Sequence, residues 1–438
     1  MRAFKALALA LAVVDERKRA PYDHQNETYE PRFTTPWRGD ANDVVAVEAF
    51  FSPETSGETA RELVQGSRRT IDAYAPGVES WSGCGTPERG SVCVGCEPEK
   101  LRDEEQFVLF RDLINAANRG VRVRLLTNLF DNVHECSGRT TVMSYLSEIF
   151  EVKTYRTTTF QHSKVLIIDG ETVSISSVNW SRTSFIENRE AGVRLLSEKA
   201  ASFAMTVFEF DYELAETWVA PTNGISDDDR RKIQDGGFLP PFPIPRRQIN
   251  EPHYEAPRRP PVSISGDAIE LFVSPDAGAT TLIDFFKRTN TTLDVYTYQI
   301  TDEFFAEMIL SLAKRGVRVR VVLSRAIYGD QDRRLSTRVI DTMRAKSRDR
   351  ISFYSSPHFY RYAHLKVVIS DGSSVAVSTG NLSPSDLPHP IKPFPPHKSS
   401  INRDFGIIVR NGIVEDFQKL IDGDVRLGAT KYRRPTKY

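Results

Sequence analysis

The chain is written twice, so any fold it adopts must come as two similar halves. The stretch "HSKVLIID" begins at His162 and "HLKVVISD" begins at His364, and both read His-x-Lys-x-x-x-x-Asp within an apolar run. "VEAFFSPE" at Val47 matches "IELFVSPD" at Ile269, and "TIDAY" at Thr70 matches "TLDVY" at Thr292 with the same separation between copies. "NRGVRVRLL" at Asn118 matches "KRGVRVRVV" at Lys314 with a shorter separation, so the first copy carries an insertion between Tyr74 and Arg119. The first repeat is read as 42–220, with the insertion at about 75–105, and the second as 266–425. An extension, 1–41, a linker, 221–265, and a basic tail, 426–438, complete the chain.

Each repeat has an α/β pattern. "DEEQFVLFRDLINAANRG" places Phe107, Phe110, Ile114 and Ala117 on one helical face, and "TDEFFAEMILSLAKRG" does the same with Phe305, Ile309 and Leu312. Gly120 and Gly316 end these helices. "VRVRLL" and "VRVRVV" follow as β-branched strands. Such alternation predicts mixed sheets covered by helices. The linker "FLPPFPIPRRQINEPHYEAPRRPPVSIS" is rich in proline and reads as a semi-extended connector. Its Arg246, Arg247, Arg258 and Arg259 either grip a phosphate backbone or keep the segment solvated.

Residues i and i+2 of a strand share a face, so His162 and Lys164 point one way, as do His364 and Lys366. Asp169-Gly170 and Asp371-Gly372 end the motif strands as tight hairpin signals. The return strands deliver "SSVN", ending at Asn179, and "STGN", ending at Asn381. A buried lysine among valines and isoleucines is costly unless it meets an anion. The plain alternative is a His and a Lys pointing to solvent from an edge strand. That reading is weak for a motif kept twice in a repeat that has otherwise diverged.

Paired lysines and amides suit a phosphate that gains charge in a transition state. One imidazole can attack phosphorus while the other protonates the leaving oxygen. Each needs an acceptor on its second nitrogen to hold the tautomer. "ENREAGV" offers Asn188 and Glu190, and "INRDFGI" offers Asn402 and Asp404, at matching places.

The composition excludes little. Hydrophobic residues at 40% and charged residues at 26% describe an ordinary globular chain, and the net charge of +0 announces neither nucleic acid nor an anionic membrane. The tail residues Arg426, Lys431, Arg433, Arg434 and Lys437 read as a solvated, frayed terminus. At the other end, Arg2 and Lys5 precede an apolar run from Ala6 to Val14, too short to span a membrane. The run fits a secretory signal, with a frayed amphipathic helix as its rival. Cys84, Cys93, Cys96 and Cys136 would form two disulfides in a secreted chain. In a cytosolic one, Cys93 and Cys96 would anchor a structural zinc site that His134 could join. Asn26 and Asn290 head glycosylation sequons.

Two H-x-K-x-x-x-x-D motifs, each followed by a small-residue turn ending in Asn and then by N-x-E or N-x-D, resemble the phospholipase D superfamily. The resemblance covers both repeats. It implies two phospholipase D-like α/β repeats, mixed sheets flanked by helices, packed as a pseudo-twofold dimer within one chain. It also implies one active site, built by both motifs, that works through a covalent phosphohistidine. By that resemblance His162 is the nucleophile and His364 the general acid, or the reverse. Lys164, Lys366, Asn179 and Asn381 would hold the phosphoryl oxygens, and Glu190 and Asp404 would orient the histidines. Asp169 and Asp371 complete the motif and look structural. No metal or other cofactor is implied. Ser176-Ser177 and Ser378-Thr379 depart from the usual Gly-Ser, and each keeps a hydroxyl, on Ser177 and Thr379. The second copy also has a longer loop before Asn402, with Lys392, Phe394 and Lys398 beside the expected entrance.

The expected activity is cleavage of a phosphodiester, in a phospholipid or a nucleic acid. A phospholipid substrate would bring peripheral contact with a membrane. Phosphatidyl transfer to an alcohol, as in cardiolipin synthases, is the alternative reaction. A non-catalytic phosphate-binding protein is the rival from another class. Such relatives usually lose a motif residue, and none is lost here.

Overall fold

The computed structural model describes residues 29, 31–78, 108–128, 138–219, 228, 231, 247, 249–257, 260–389, 401–428 and 432–437. The N-terminal apolar run, Asn26, His134 and all four cysteines fall outside the described residues. So do Lys392, Phe394 and Lys398 and most of the linker.

Along the first half run β1 (Trp37–Arg38), β2 (Val44–Ser52), α1 (Ser56–Gly66), β3 (Thr70–Tyr74), α2 (Val108–Asn118), β4 (Arg122–Thr127), α3 (Gly138–Ser147), β5 (Glu151–Thr154), β6 (Phe160–Gln161), β7 (Val165–Ile168), β8 (Thr172–Ser176), α4 (Arg182–Ile186), β9 (Glu190–Leu196), α5 (Glu198–Leu214) and β10 (Glu216–Thr217). The second half has β11 (Val262–Ser265), β12 (Ile269–Ser274), α6 (Gly278–Arg288), β13 (Thr292–Thr297), α7 (Glu303–Lys314), β14 (Arg318–Leu323), α8 (Asp330–Ser347), β15 (Ile351–Ser355), β16 (Lys366–Ser370), β17 (Ser374–Ser378), β18 (Asn402–Arg410) and α9 (Val414–Gly428).

The repeat in sequence is a repeat in topology. One sheet runs β5-β4-β3-β7-β8-β9-β2, and the other runs β15-β14-β13-β16-β17-β18-β12 in the same order. In both, the first three strands are parallel and the rest antiparallel. The motif strands read as continuous apolar runs because both faces of each sheet are covered. Val165 and Ile167 face the core shared by the two halves, while Leu166 and Ile168 face the helices of the first half. Val367 and Ile369 likewise face the shared core, and Val368 faces the second half's own.

Two boundaries need correction. Trp37–Arg38, read as part of an N-terminal extension, pair with β12 of the second sheet, and Val262–Ser265, read as linker, pair with β2 of the first. Each half thus lends a strand to the outer edge of its partner, which covers an otherwise open row of backbone groups. The C-terminal tail is not a frayed end either. Tyr432 is buried, its N–H donates to Phe353 O at 3.2 Å, and Arg434 reaches Asp341 at 2.7 Å.

The Asp-Gly turns form as expected. Asp169 and Gly170 have φ of 55° and 70°, and Asp371 and Gly372 have 54° and 64°. Paired positive φ values give the turn whose twist fits a two-residue hairpin. The same Asp side chains lash the hairpin to the neighbouring strand. Asp169 accepts from the backbone N–H of Arg68, Arg69 and Thr70, and Asp371 from those of Asn290, Thr291 and Thr292. Burial is the largest single effect and pushes both carboxyls up, but these bonds together outweigh it and hold them below their ordinary range.

A pair of fully buried arginines joins the halves. Arg189 bonds Asp424 of α9 at 2.9 Å and Glu54 at 2.7 Å, and Arg403 bonds Asp211 of α5 at 2.9 Å and Asp276 at 2.6 Å. Each arginine therefore meets one carboxylate of its own half and one of the other. Tyr296 and Tyr74 donate to Asp424 and Asp211 in turn, at 3.0 and 2.7 Å. A buried charge is tolerated only with this degree of pairing.

Candidate active site

Both histidines stand just before their motif strands rather than within them. The short β6 leaves its own sheet and pairs in parallel with Asn402–Arg403 of β18, and Arg189 bridges Ala363 in the same way. The His162 N–H donates to Arg403 O at 2.9 Å, and the His364 N–H donates to Arg189 O at 2.8 Å. Each histidine segment is therefore docked on the other half. This is why the carboxylate that follows each buried arginine serves the opposite histidine.

The pairing is crosswise. His162 Nδ1 lies 3.0 Å from Asp404 Oδ1, and His364 Nδ1 lies 3.0 Å from Glu190 Oε2. The carboxylates are themselves fixed by hydroxyls. Ser177 Oγ donates to Glu190 at 2.6 Å and Thr379 Oγ1 donates to Asp404 at 2.6 Å. Asn188 Nδ2 adds a bond to Glu190 at 3.0 Å. The hydroxyl that each Gly/Ser-type turn keeps thus has a defined task.

Lys164 and Lys366 are buried at the same place. Lys366 Nζ is 2.9 Å from His364 Nε2, while Lys164 Nζ bonds the carbonyls of His162 and Thr379. Burial pushes Lys164 down to about 8, and burial together with the charge of Lys164 pushes Lys366 down to about 7. Burial and the nearby lysines also hold both imidazoles below their ordinary range. Burial raises Asp404 to about 6. Glu190, although burial opposes it, is held low by His364 and Lys366. The site is thus a buried cluster of lysine ammoniums and imidazoles, an environment that favours an incoming anion.

Asn381 anchors Asp386 through its backbone N–H at 2.6 Å and its Nδ2 at 3.0 Å. Its Oδ1 is buried without a hydrogen-bond partner. Asn179 is half-buried at the matching position. Asp169 and Asp371 are not at this site. They lie at the far end of the motif strands, where they tie the hairpins.

Sequence reasoning missed several residues here. Arg189 and Arg403 were inside the quoted "NRE" and "NRD" stretches, and Glu54 and Asp276 inside "SPE" and "SPD". An arginine at the same place in both copies, beside an acid at the same place in both, was the available signal. Tyr298 was in "DVYTYQITDE"; its ring packs edge-on against His364 with centroids 5.0 Å apart. Asp386 carried no such signal, because the first copy has Ser184 there. Among the described residues, His162, Asp386 and Asp404 form the group whose donors could hold a cation.

The sequence profile of the family described as "Cardiolipin synthase, PLD-like domain" matches residues 103–212 and 282–419, more than half of the chain and both motifs. The chain belongs to the phospholipase D superfamily. As a superfamily member it is also similar in fold to solved structures. A phosphatidylserine synthase from Haemophilus influenzae is 11% identical with a TM-score of 0.57, covering 93% of this chain and 90% of its own. A polyphosphate kinase from Porphyromonas gingivalis is 11% identical with a TM-score of 0.50, covering 87% of this chain and 47% of its own. Nuc, a phospholipase D family member from Salmonella typhimurium, is 18% identical with a TM-score of 0.32, covering 40% of this chain and 98% of its own. No curated protein matches in sequence. Among the described residues, no helix is long and apolar enough to cross a membrane.

Proposed function

We propose that this phospholipase D superfamily member cleaves a phosphodiester bond through a covalent phosphohistidine. The observation that carries this reading is the convergence of His162 and His364, each held by a carboxylate of the other half, with Lys164 and Lys366 buried beside them. One imidazole attacks phosphorus and the other protonates the leaving oxygen. The lysines stabilise the phosphoryl oxygens as they gain charge. Asn179 and Asn381 bind the phosphate, and Glu190 and Asp404 hold each imidazole by Nδ1. Water is the acceptor. The family's name, cardiolipin synthase, makes an alcohol the competing acceptor.

The test is turnover by the purified chain of phosphatidylcholine vesicles and of single-stranded oligonucleotides, with and without glycerol and with and without EDTA. Loss of turnover in His162→Ala and in His364→Ala, with EDTA harmless, supports the reading. Robust cleavage of one substrate and none of the other assigns the substrate class. A glycerol adduct among the products assigns transfer. Turnover that survives either histidine variant, or that EDTA removes, contradicts the mechanism.

A further inference from the structure

One face of the second half is basic, in a chain whose net charge is +0. A groove of about 750 Å³ lies there between α8 and the C-terminal tail. Arg333, Arg334, Arg338 and Lys346 of α8 line it together with Arg434 of the tail, and Asp341 is its one acid among the described residues. Arg334, Arg338 and Thr342 stand four apart and so share one side of the helix. Val339, Ile340 and Met343, on the other side, are buried in the core of the second half.

The cations of the groove are loosely held. Arg333 meets Asp330 at 3.0 Å, Arg434 meets Asp341 at 2.7 Å, Arg338 meets Glu303 at 3.7 Å, and Lys346 meets Glu307. At least one partner of each pair is exposed, and pairs of that kind contribute little and give way to a stronger anion. Arg334 is exposed and has no ion pair among the described residues.

The groove starts beside the active site. Just past β14, Ser324 Oγ accepts at 3.0 Å from the N–H of Ala363, the neighbour of His364. The chain then reaches Tyr328, whose N–H donates to Tyr298 Oη at 2.7 Å, and the Tyr298 ring is the one packed on His364. In the first turn of α8, Asp332 lies within reach of Gln299 and of the Asp386 charge. The tail returns along the same segment. Ile327 N–H donates to Thr436 O at 3.1 Å, and Thr436 N–H donates to Arg325 O at 3.0 Å. Both walls of the groove are therefore anchored on the segment that packs against Tyr298.

Tyr328, between the site and the groove, is 75% exposed. Among the described residues, the other large apolar side chains left this open, Val44, Leu196, Leu214 and Val219, belong to the first half. A membrane-binding face gathers several apolar side chains on one surface. This face offers a single ring and a concave row of cations.

We propose that the groove binds the phosphates of a single-stranded nucleic acid whose scissile phosphodiester lies between His162 and His364, with an unpaired base stacked on Tyr328. The inference rests on the phosphodiesterase reading above and names its substrate class. Cations along a groove track a phosphate backbone, and an exposed ring accepts the face of any base that is not paired. At the usual rise per residue, the 18 residues of α8 extend about 27 Å, enough for several nucleotides beyond the cleaved bond. A lone phospholipid headgroup would fill the site and leave the groove unused.

The experiment uses the full chain carrying His364→Ala, so that the probe stays intact, and follows the fluorescence polarisation of an oligothymidylate of about 12 residues as salt is varied. The chain is expected to bind this probe at least about tenfold more tightly than a thymidine dinucleotide. Arg334→Glu combined with Arg338→Glu is expected to lose about tenfold or more of that affinity. Arg334→Ala should flatten the slope of log K against log salt by about 0.7, and Arg334→Lys should restore it. Tyr328→Ala should weaken binding about tenfold, while Tyr328→Phe keeps it. Equal affinity for the two lengths, or an affinity indifferent to the charge reversals, overturns the proposal. So does binding to phosphatidylglycerol vesicles that needs Arg334 and Arg338 while the oligothymidylate does not bind, a result that assigns the face to a membrane. The chain with both histidines is assayed alongside on bis(p-nitrophenyl) phosphate. Turnover there without oligothymidylate binding overturns the groove and spares the phosphodiesterase reading. Groove-dependent binding without any turnover overturns that reading and leaves the groove as a nucleic-acid site.

Discussion

Asp404 of the second half lies 3.0 Å from His162 Nδ1 of the first, and the reverse pairing, Glu190 to His364, has the same length. Neither half can hold its own histidine in register. If the carboxylates fix the tautomers, Glu190→Gln should perturb His364 and leave His162 alone. Asp404→Asn should do the opposite. Nitrogen NMR of the labelled imidazoles reads this directly, and kcat should fall by about 10²-fold or more in each variant. Perturbation of the histidine in the same half would contradict the crosswise geometry.

The buried lysines predict how anion binding depends on pH. Lys366 sits at about 7 and Lys164 at about 8 because burial disfavours their charge. At pH 8 the empty site therefore lacks part of its positive charge. An anion restores it, so phosphate binding at pH 8 should take up protons, and affinity should fall as pH rises through 7 to 8. Calorimetry in buffers of different ionisation enthalpy measures the uptake. In the empty protein the sign for stability is also fixed. The unfolded lysines keep their protons through this window and the folded ones lose them, so this contribution to stability rises with pH. Proton release on binding phosphate would contradict this account of the site.

Arg403 and Arg189 each bind a carboxylate from both halves. Arg403→Met strands Asp211 and Asp276 as buried, uncompensated charges, with an expected loss of about 3–5 kcal/mol. Arg403→Met combined with Asp211→Asn and Asp276→Asn should recover part of that loss. Chemical denaturation of the three proteins tests both statements, and an unchanged midpoint in the single variant would refute the first.

Asp169 belongs to the motif but lies at the far end of its strand. Its carboxylate caps three backbone N–H groups in the manner of a helix N-cap. Asp169→Ala should cost about 1–2 kcal/mol of stability and leave the kcat of the folded protein near that of the wild type. Thermal unfolding and initial rates separate the two effects. A loss of kcat without a loss of stability would move Asp169 into the chemistry.

Much of this arrangement was legible in the sequence because duplication doubles every signal. The motif strands, the Asp-Gly hairpins and the capping Gly120 and Gly316 were readable from local patterns, since their causes are local. Three things were not. The exchange of Trp37–Arg38 and Val262–Ser265 between sheets depends on which edge lies nearest, which no local pattern encodes. The burial of Arg189 and Arg403 contradicts the ordinary preference of arginine for solvent, and only the convergence of four distant acids makes it tolerable. Asp386 has no counterpart in the first half, where Ser184 stands, so the comparison of copies that exposed the paired histidines, lysines and acids was blind to it.

The central claim is that two motifs make one site. The most direct measurement is the intact mass of the chain, quenched during turnover of a phosphodiester. The account predicts a single covalent adduct per chain, on one of His162 and His364. Two adducts on one chain, or none under conditions of rapid turnover, would contradict it.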